Sequence, residues 1–237
     1  MENDKCVVLL SGGIDSATAL WWALERFKEV HALTFTYGQR HALEVEYARR
    51  LAEMAGVAEH RVIDLSILKD IGGSALTDES MDVPEGEYPP RGTISTYVPM
   101  RNSLFGVVAG AYMEVKGITD IVLGVHASDV PNYPDTRPEW ASALEALLNA
   151  GSSLAFDGKR RIKVHTPFVG MRKADIIRLG LKLGVPYEWT WSCYSPKDGW
   201  PCGRCPTCVQ RAEAFRELGL PDPLLLRLEK EKKEVET

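Results

Sequence analysis

Apolar positions along this chain fall into two periods. Cys6–Leu10 (CVVLL) is an unbroken apolar run, and Val30–Thr36 (VHALTFT), His60–Leu65 (HRVIDL), Ile118–Val125 (ITDIVLGV) and Ile162–His165 are short apolar-rich segments. Runs of this length predict strands, and the unbroken one predicts a strand covered on both faces in a parallel sheet. Between them, apolar residues recur every three to four positions. Residues 15–28 bring Ala17, Leu20, Ala23, Leu24 and Phe27 onto one helical face. Residues 41–55, closed by Gly56, also read as a helix, as do 101–115, about 139–150, 173–183 and 209–218. Strand, helix, strand, helix, strand predicts an α/β fold, doubly wound about a mainly parallel sheet.

Three stretches break the alternation. Residues 66–98 carry Gly72, Gly73, Pro84, Gly86, Pro89, Pro90 and Gly92. That is too long for a plain connector and predicts a lid, a binding loop or a disordered segment. Residues 131–138 are proline-rich, and the tail from Arg227 alternates acidic and basic side chains as a solvated helix or frayed end would.

Composition changes this picture little. With 45% hydrophobic and 26% charged residues over 237 positions, a folded domain with a proper core is expected. A net charge of −5 disfavours an extensive nucleic-acid footprint. The polar opening Met1–Lys5 does not read as a secretion leader, and no apolar run reaches membrane-spanning length, so a cytoplasmic protein without direct nucleic-acid or membrane contacts is expected.

The first candidate chemistry lies at Ser11-Gly12-Gly13-Ile14-Asp15-Ser16, between the apolar run and the first helix. A strand turning into a helix through glycines aims backbone N–H groups and the positive end of the helix dipole at one point, which makes an anion site. Ser11 and Ser16 add hydroxyls. Asp15 would repel phosphate unless it caps the helix or acts through Mg²⁺. No lysine follows the glycines, so this is not a Walker A loop. A tight turn without ligand is the plain alternative.

Further polar motifs fall where strands end. Tyr37, Gln39, Arg40 and His41 (in YGQRH) follow the second strand, where open α/β sheets bind ligands. Arg101 and Asn102 (in YVPMRN) open a helix, a position at which a cation opposes the dipole and suits an anionic ligand; Lys173 does the same later. After the fourth strand, GVHASDVPNYPDTRPEW supplies His126, Asp129, Tyr133, Asp135, Arg137 and Glu139. Carboxylates there could accept the paired N–H donors of a guanine-like base. A capped surface loop and ordinary salt bridges are the alternatives.

Four of five cysteines, Cys193, Cys202, Cys205 and Cys208, form C-x8-C-x2-C-x2-C. The spacing suits tetrahedral Zn²⁺ in a closed, structural site, with iron–sulfur ligation or disulfides as alternatives. Cys6 reads as a small core residue.

SGGxDS resembles the pyrophosphate loop of the PP-loop ATP pyrophosphatases, with their adenine nucleotide alpha hydrolase-like fold. Taken in order, SGGIDS, YGQRH, YVPMRN, NYPDTRPEW, TPF…K and TWSCY…CGRCPTC resemble one such family over residues 5 to 220, the 7-cyano-7-deazaguanine synthases of queuosine and archaeosine biosynthesis. The resemblance implies a ligase that uses ATP and ammonia to turn 7-carboxy-7-deazaguanine into the nitrile. An adenylated carboxylate, an amide and an adenylated amide would be passed on the way, with release of AMP and pyrophosphate. It implies ATP, Mg²⁺ and one structural Zn²⁺ per chain on the four cysteines, and a homodimer. Residues 1–185 would form the nucleotide-binding α/β domain, with a lid-like insertion at about 66–98. Residues 186–237 would form a small metal-binding helical region.

By the same resemblance, ATP would lie on Leu10, Ser11, Gly12, Gly13, Ile14, Asp15, Ser16, Ala17, Thr18, Ala19 and Leu20, with Tyr37, Gln39, Arg40, Arg101, Asn102 and Gly124. Ser11, Asp15, Ser16, Arg101 and Lys173 would carry catalysis. His126, Asp129, Tyr133, Asp135, Arg137 and Glu139 would hold the substrate. Three positions depart from the family pattern: Met100 stands where glycine is usual, His126 where asparagine is, and Thr136 where cysteine often is. A tRNA-thiolating or amidotransferase-type PP-loop enzyme and a non-catalytic nucleotide-binding module are the competing readings. Cysteines committed to metal, an acidic pI and the dense polar loop at 126–139 weigh against them.

Overall fold

The computed structural model describes residues 4–40 and 43–235; Met1–Asn3, His41 of the YGQRH motif, Ala42 and the last two residues lie outside the described residues. Strand β1 (Lys5–Leu9) leads into α1 (Ile14–Leu24), and β2 (Glu29–Thr36), α2 (Leu43–Ala55), β3 (Glu59–Asp64) and a short α3 (Ile67–Ile71) follow. The chain resumes with α4 (Arg101–Lys116), β4 (Asp120–Val122), α5 (Pro138–Gly151) and α6 (Ser153–Phe156). It continues through β5 (Lys163–His165), α7 (Lys173–Leu183), α8 (Pro206–Glu217) and α9 (Pro223–Val235).

The five strands form one parallel sheet in the order β3-β2-β1-β4-β5. Alternation along β1 divides the core. Cys6 and Val8 pack with α1, α2, α7 and α8 on one face. Val7 and Leu9 pack with α4 and α5 on the other. Burial on both faces explains why CVVLL carries no polar position. Two glycines let α4 approach α5: a Cβ on Gly106 would meet Leu144, and one on Gly110 would meet Leu148.

Element boundaries differ from the sequence reading at several points. The fourth strand pairs only over Asp120–Val122, although Leu123 N–H still donates to the carbonyl of His165 at 2.9 Å. The chain then leaves the sheet to build the site. Helix α8 starts at Pro206, inside the cysteine cluster, because proline suits the first helical turn. Its Ala214 and Phe215 join the main core, and Arg211, buried and paired with Asp222, also donates to the carbonyls of Thr190 and Tyr187.

The segment at 66–98 is tied down rather than loose. Leu68, Leu76 and Val98 pack around Tyr37. Asn132 donates to the carbonyls of Pro89 and Gly92, and Gly86 N–H reaches the carbonyl of Arg204. The insertion thus straps the loop after β4 to the cysteine-rich loop, over the carboxyl ends of the strands.

Candidate active site

Strand β1 lies between β2 and β4, and the chain winds in opposite directions on its two sides. This is the switch point at which open α/β sheets form a crevice beyond the strand ends. The described residues enclose there a cavity of about 250 Å³. Its floor is Leu10–Ser11, Gly13–Ser16 and Leu123–Val125.

The Ser11–Ser16 turn is held by its own hydroxyls. Ser11 N–H donates to Ser16 Oγ at 3.1 Å, Ser16 Oγ donates to the carbonyl of Gly13 at 3.2 Å, and the two serine oxygens lie 3.0 Å apart. Helix α1 begins with Gly13 as its N-cap and no side-chain cap, so its first-turn donors are left for a ligand. Gly12 has φ +90°, and a Cβ there would stand 2.4 Å from the carbonyl oxygen of Glu44. Gly124 is also closely approached, though less tightly: its Cβ would stand 3.0 Å from the backbone of Asp15.

At one end of the turn four charged or ionisable groups meet. Lys173, the first residue of α7, donates to Asp15 Oδ2 at 2.5 Å and lies 3.2 Å from His126 Nε2. His126 Nε2 is also 3.3 Å from Asp15 Oδ2 and 3.2 Å from Asp129 Oδ2. Burial alone would push the Asp15 carboxyl up, but Lys173 and His126 outweigh it and hold it well below the usual carboxylate range. Asp15 Oδ1 and His126 Nδ1 are buried without a hydrogen-bond partner among the described residues. A free, ionised carboxylate oxygen beside an anion-binding turn is suited to a hard cation such as Mg²⁺.

The opposite wall is aromatic. Tyr37, Tyr88, Tyr133, Tyr194, Phe105 and Trp140 line it around Arg101. Arg101 donates to Tyr37 Oη at 3.2 Å and lies over its ring. Burial pushes the Tyr37 phenol up to about 12, so it stays protonated. Glu44, in the first turn of α2, reaches this wall too, and burial, only partly offset by Arg101, raises its carboxyl to about 7.

The structure gathers many of the residues expected from sequence, but not all. Leu10, Ser11, Gly13, Ile14, Asp15, Ser16, Tyr37, Gln39, Arg101, Asn102, Gly124, Asp129, Tyr133 and Lys173 line the cavity. Ala17, Ala19 and Leu20 are buried in the core, and Thr18 bonds Tyr187 Oη at 2.8 Å. Arg40 donates to the carbonyls of Asp78 and Met81, which places it in the wall behind. Asp135, expected at the substrate's N–H edge, turns to α4, where its Oδ2 accepts Asn102 N–H at 2.9 Å. Burial raises its carboxyl, partly offset by that N–H. Arg137 and Glu139 are exposed outside the cavity lining. Glu44, Tyr88 and Tyr194 were not singled out in the sequence.

The four clustered cysteines come together as a separate centre. Their Sγ atoms lie within 4.8 Å of one another, and three of the residues are buried. Tetrahedral thiolates at about 2.3 Å from a zinc ion would lie roughly 3.8 Å apart, so four sulfurs gathered within 4.8 Å are compatible with such an ion. Ser195 and Cys202 N–H groups point at Cys193 Sγ, and those of Arg204 and Cys205 at Cys202 Sγ, as suits thiolate charge. This centre adjoins the cavity: Trp191 N–H donates to the carbonyl of Gly12 at 2.8 Å.

Comparison with known proteins agrees with this architecture. The family model described as queuosine biosynthesis protein QueC matches residues 5–219. A protein of Persephonella marina named 7-cyano-7-deazaguanine synthase is 49% identical over 94% of this chain and 96% of its own. One of the same name from Aquifex aeolicus is 50% identical over 91% of this chain and 98% of its own. Among solved structures, NMN synthetase from Francisella tularensis shares the fold, with a TM-score of 0.50 and 18% identity over 93% of this chain and 74% of that one. The chain belongs to the QueC family.

Proposed function

We propose that the protein, as a member of this family, is the ATP-dependent ligase that converts 7-carboxy-7-deazaguanine and ammonia to 7-cyano-7-deazaguanine, releasing AMP and pyrophosphate. The observation that carries the reading is the shared cavity: the uncapped turn Ser11–Ser16 and the Asp15–Lys173–His126 cluster form one end, and the aromatic wall with Arg101 forms the other. One end suits a triphosphate and the other a planar, substituted base.

A carboxylate is a poor electrophile, because its charge repels nucleophiles and oxide is a poor leaving group. A carboxylate oxygen of the substrate attacks the α-phosphorus of ATP, the bond to the β-phosphate oxygen breaks, and pyrophosphate leaves. Ammonia attacks the acyl carbon, AMP departs and the amide forms. The amide oxygen then attacks a second ATP. Loss of AMP and of the nitrogen's protons completes the nitrile.

In this reading Ser11, Gly12, Gly13 and Ser16 hold the departing pyrophosphate, and Lys173 neutralises charge that develops there. Arg101 and Asn102, at the start of α4, meet the activated carboxylate. Asp15 holds Mg²⁺ through its free oxygen, and the ion screens the triphosphate when bound. The cysteine centre takes Zn²⁺ as a structural ion. Cytoplasmic location and a homodimer belong to the same proposal. Glu114 ties Ser152 and Ser153 at the start of α6 to the end of α4, where exposed Val115 and Phe156 offer apolar surface for a partner copy.

ATP–pyrophosphate exchange tests the reading. Exchange should require 7-carboxy-7-deazaguanine and should not require ammonia. Exchange that proceeds equally without the deazaguanine would contradict it.

A further inference from the structure

We propose that a small cavity beside Glu44 is the site that captures ammonium and takes its proton before attack on the activated carboxylate. The proposal rests on the ligase reading above. The cavity measures about 20 Å³ and adjoins the larger one, sharing Tyr37, Gln39, Glu44 and Tyr194 with it. Such a space admits one molecule the size of water and excludes both a nucleotide and a purine. Ammonia is the reactant of that size.

The lining chemistry suits it. Glu44 supplies the one carboxylate among the lining residues, which also include Leu76 and Cys193 of the cysteine centre. The rings of Tyr37 and Tyr194 offer π faces and neutral phenolic oxygens to a small cation. Burial holds the Tyr37 phenol protonated, so its oxygen accepts a hydrogen bond without adding charge. Arg40 also lines the cavity. Its terminal nitrogen is anchored on the carbonyls of Asp78 and Met81, while its Nε is buried without a partner among the described residues. A fixed positive charge beside ammonium lowers the ion's pKa and favours the neutral amine.

Glu44 is matched to receive the proton, since burial brings its carboxyl up to about 7 against the pull of Arg101. One proton passes from ammonium to the Glu44 carboxylate, which frees the lone pair on nitrogen. That pair attacks the acyl carbon, the acyl C–O bond breaks, and AMP leaves with the bonding electrons. A second N–H proton passes to solvent as the amide forms, and Glu44 releases its proton to solvent before the next turnover.

The test uses the full-length protein and its Glu44→Gln and Glu44→Asp variants, each checked by a melting curve. ATP–pyrophosphate exchange with 7-carboxy-7-deazaguanine is measured without ammonium, and full turnover is measured against ammonium chloride. Glu44→Gln should raise KM for ammonium about 10- to 100-fold, the loss expected of a hydrogen bond to a charged group, and by a larger factor than any by which it slows exchange. Its kcat/KM for ammonium should lose the rise that wild type shows through pH 7, and Glu44→Asp should recover part of the loss. Unchanged KM for ammonium in Glu44→Gln overturns the proposal. So does a raised KM for the deazaguanine alone, which would assign Glu44 to the base. Absence of exchange in wild type would defeat the ligase reading itself.

Discussion

Trp191 hands its backbone N–H to the carbonyl of Gly12 at 2.8 Å, and two residues later the chain supplies Cys193 to the cysteine centre. Trp191 Nε1–H also donates to the Cys193 carbonyl at 3.0 Å. The pyrophosphate turn is therefore braced by the segment that the cysteines fold. Stripping the metal with a chelator should lower the melting temperature and weaken ATP binding at least tenfold, about 1.4 kcal/mol. Calorimetric titration of ATP before and after chelation, with zinc added back, measures it. Unchanged affinity in the stripped protein would separate the two centres.

Lys173 and Asp15 form a partly buried pair. Removing one member of such a pair leaves the other charge without its partner, at a cost of about 3–5 kcal/mol where burial is complete. Lys173→Ala should thus destabilise the fold and suppress exchange. Lys173→Met with Asp15→Asn should recover much of the stability and none of the exchange. Asp15 also sets an acid sensitivity. Its carboxyl is held below its unfolded value, so the stability it contributes is present above about pH 4 and is lost as pH falls further. Denaturant titrations between pH 3 and pH 6, wild type against Asp15→Asn, follow that loss.

Asp135 caps the start of α4 through Asn102 N–H. Asp135→Ala should cost about 0.5–2 kcal/mol, the range for a lost helix cap. Affinity for 7-carboxy-7-deazaguanine should change mainly through Arg101, the neighbouring residue of the same helix end. A variant that melts like wild type yet fails to bind the deazaguanine would place Asp135 in the base site.

Met100 sits in the left-handed region, at φ 56° and ψ 17°, and its side chain is exposed. Left-handed backbone costs a residue with a Cβ roughly 1–2 kcal/mol. Met100→Gly should stabilise the protein by about 0.5–1 kcal/mol after glycine's own entropy is counted. A shift in melting temperature of a few degrees would register it. A lower melting temperature would show that the Met100 side chain contributes contacts exceeding the strain.

Glu44 gives a pH signature in stability. Its folded value, about 7, lies above its ordinary 4.5, so ionising it costs folded-state stability as pH rises from about 4.5 through 7. Glutamine carries no such cost. The melting temperature of Glu44→Gln relative to wild type should therefore rise between pH 5 and pH 8. A constant difference across that range would contradict the burial argument.

The sequence carried the turn and the cysteine centre because each is local. An unbroken apolar strand, two glycines and two hydroxyls define an anion-binding turn within a dozen residues. C-x2-C-x2-C specifies its own geometry. The aromatic wall was only partly legible: Tyr37 and Tyr133 stood out in their motifs, whereas Tyr88 and Tyr194 come from other segments that join them only in the fold. Tyr88 lies in a stretch without periodicity. Glu44 was hidden differently: an acidic residue in a first helical turn is ordinary dipole chemistry, and nothing in the sequence says that it faces a cavity. The loop after β4 showed its density of polar groups, yet their directions depend on where α4 begins, and Asp135 serves that helix rather than the cavity.

The most direct test of the account is the stoichiometry of a complete reaction with purified protein, ATP, ammonium and 7-carboxy-7-deazaguanine. Adenylation of a carboxylate and then of an amide predicts two AMP and two pyrophosphate for each 7-cyano-7-deazaguanine, with no ADP, as read by chromatography and mass spectrometry. Nitrile formed with ADP and phosphate, or AMP and pyrophosphate released with no nitrile or amide, would contradict it.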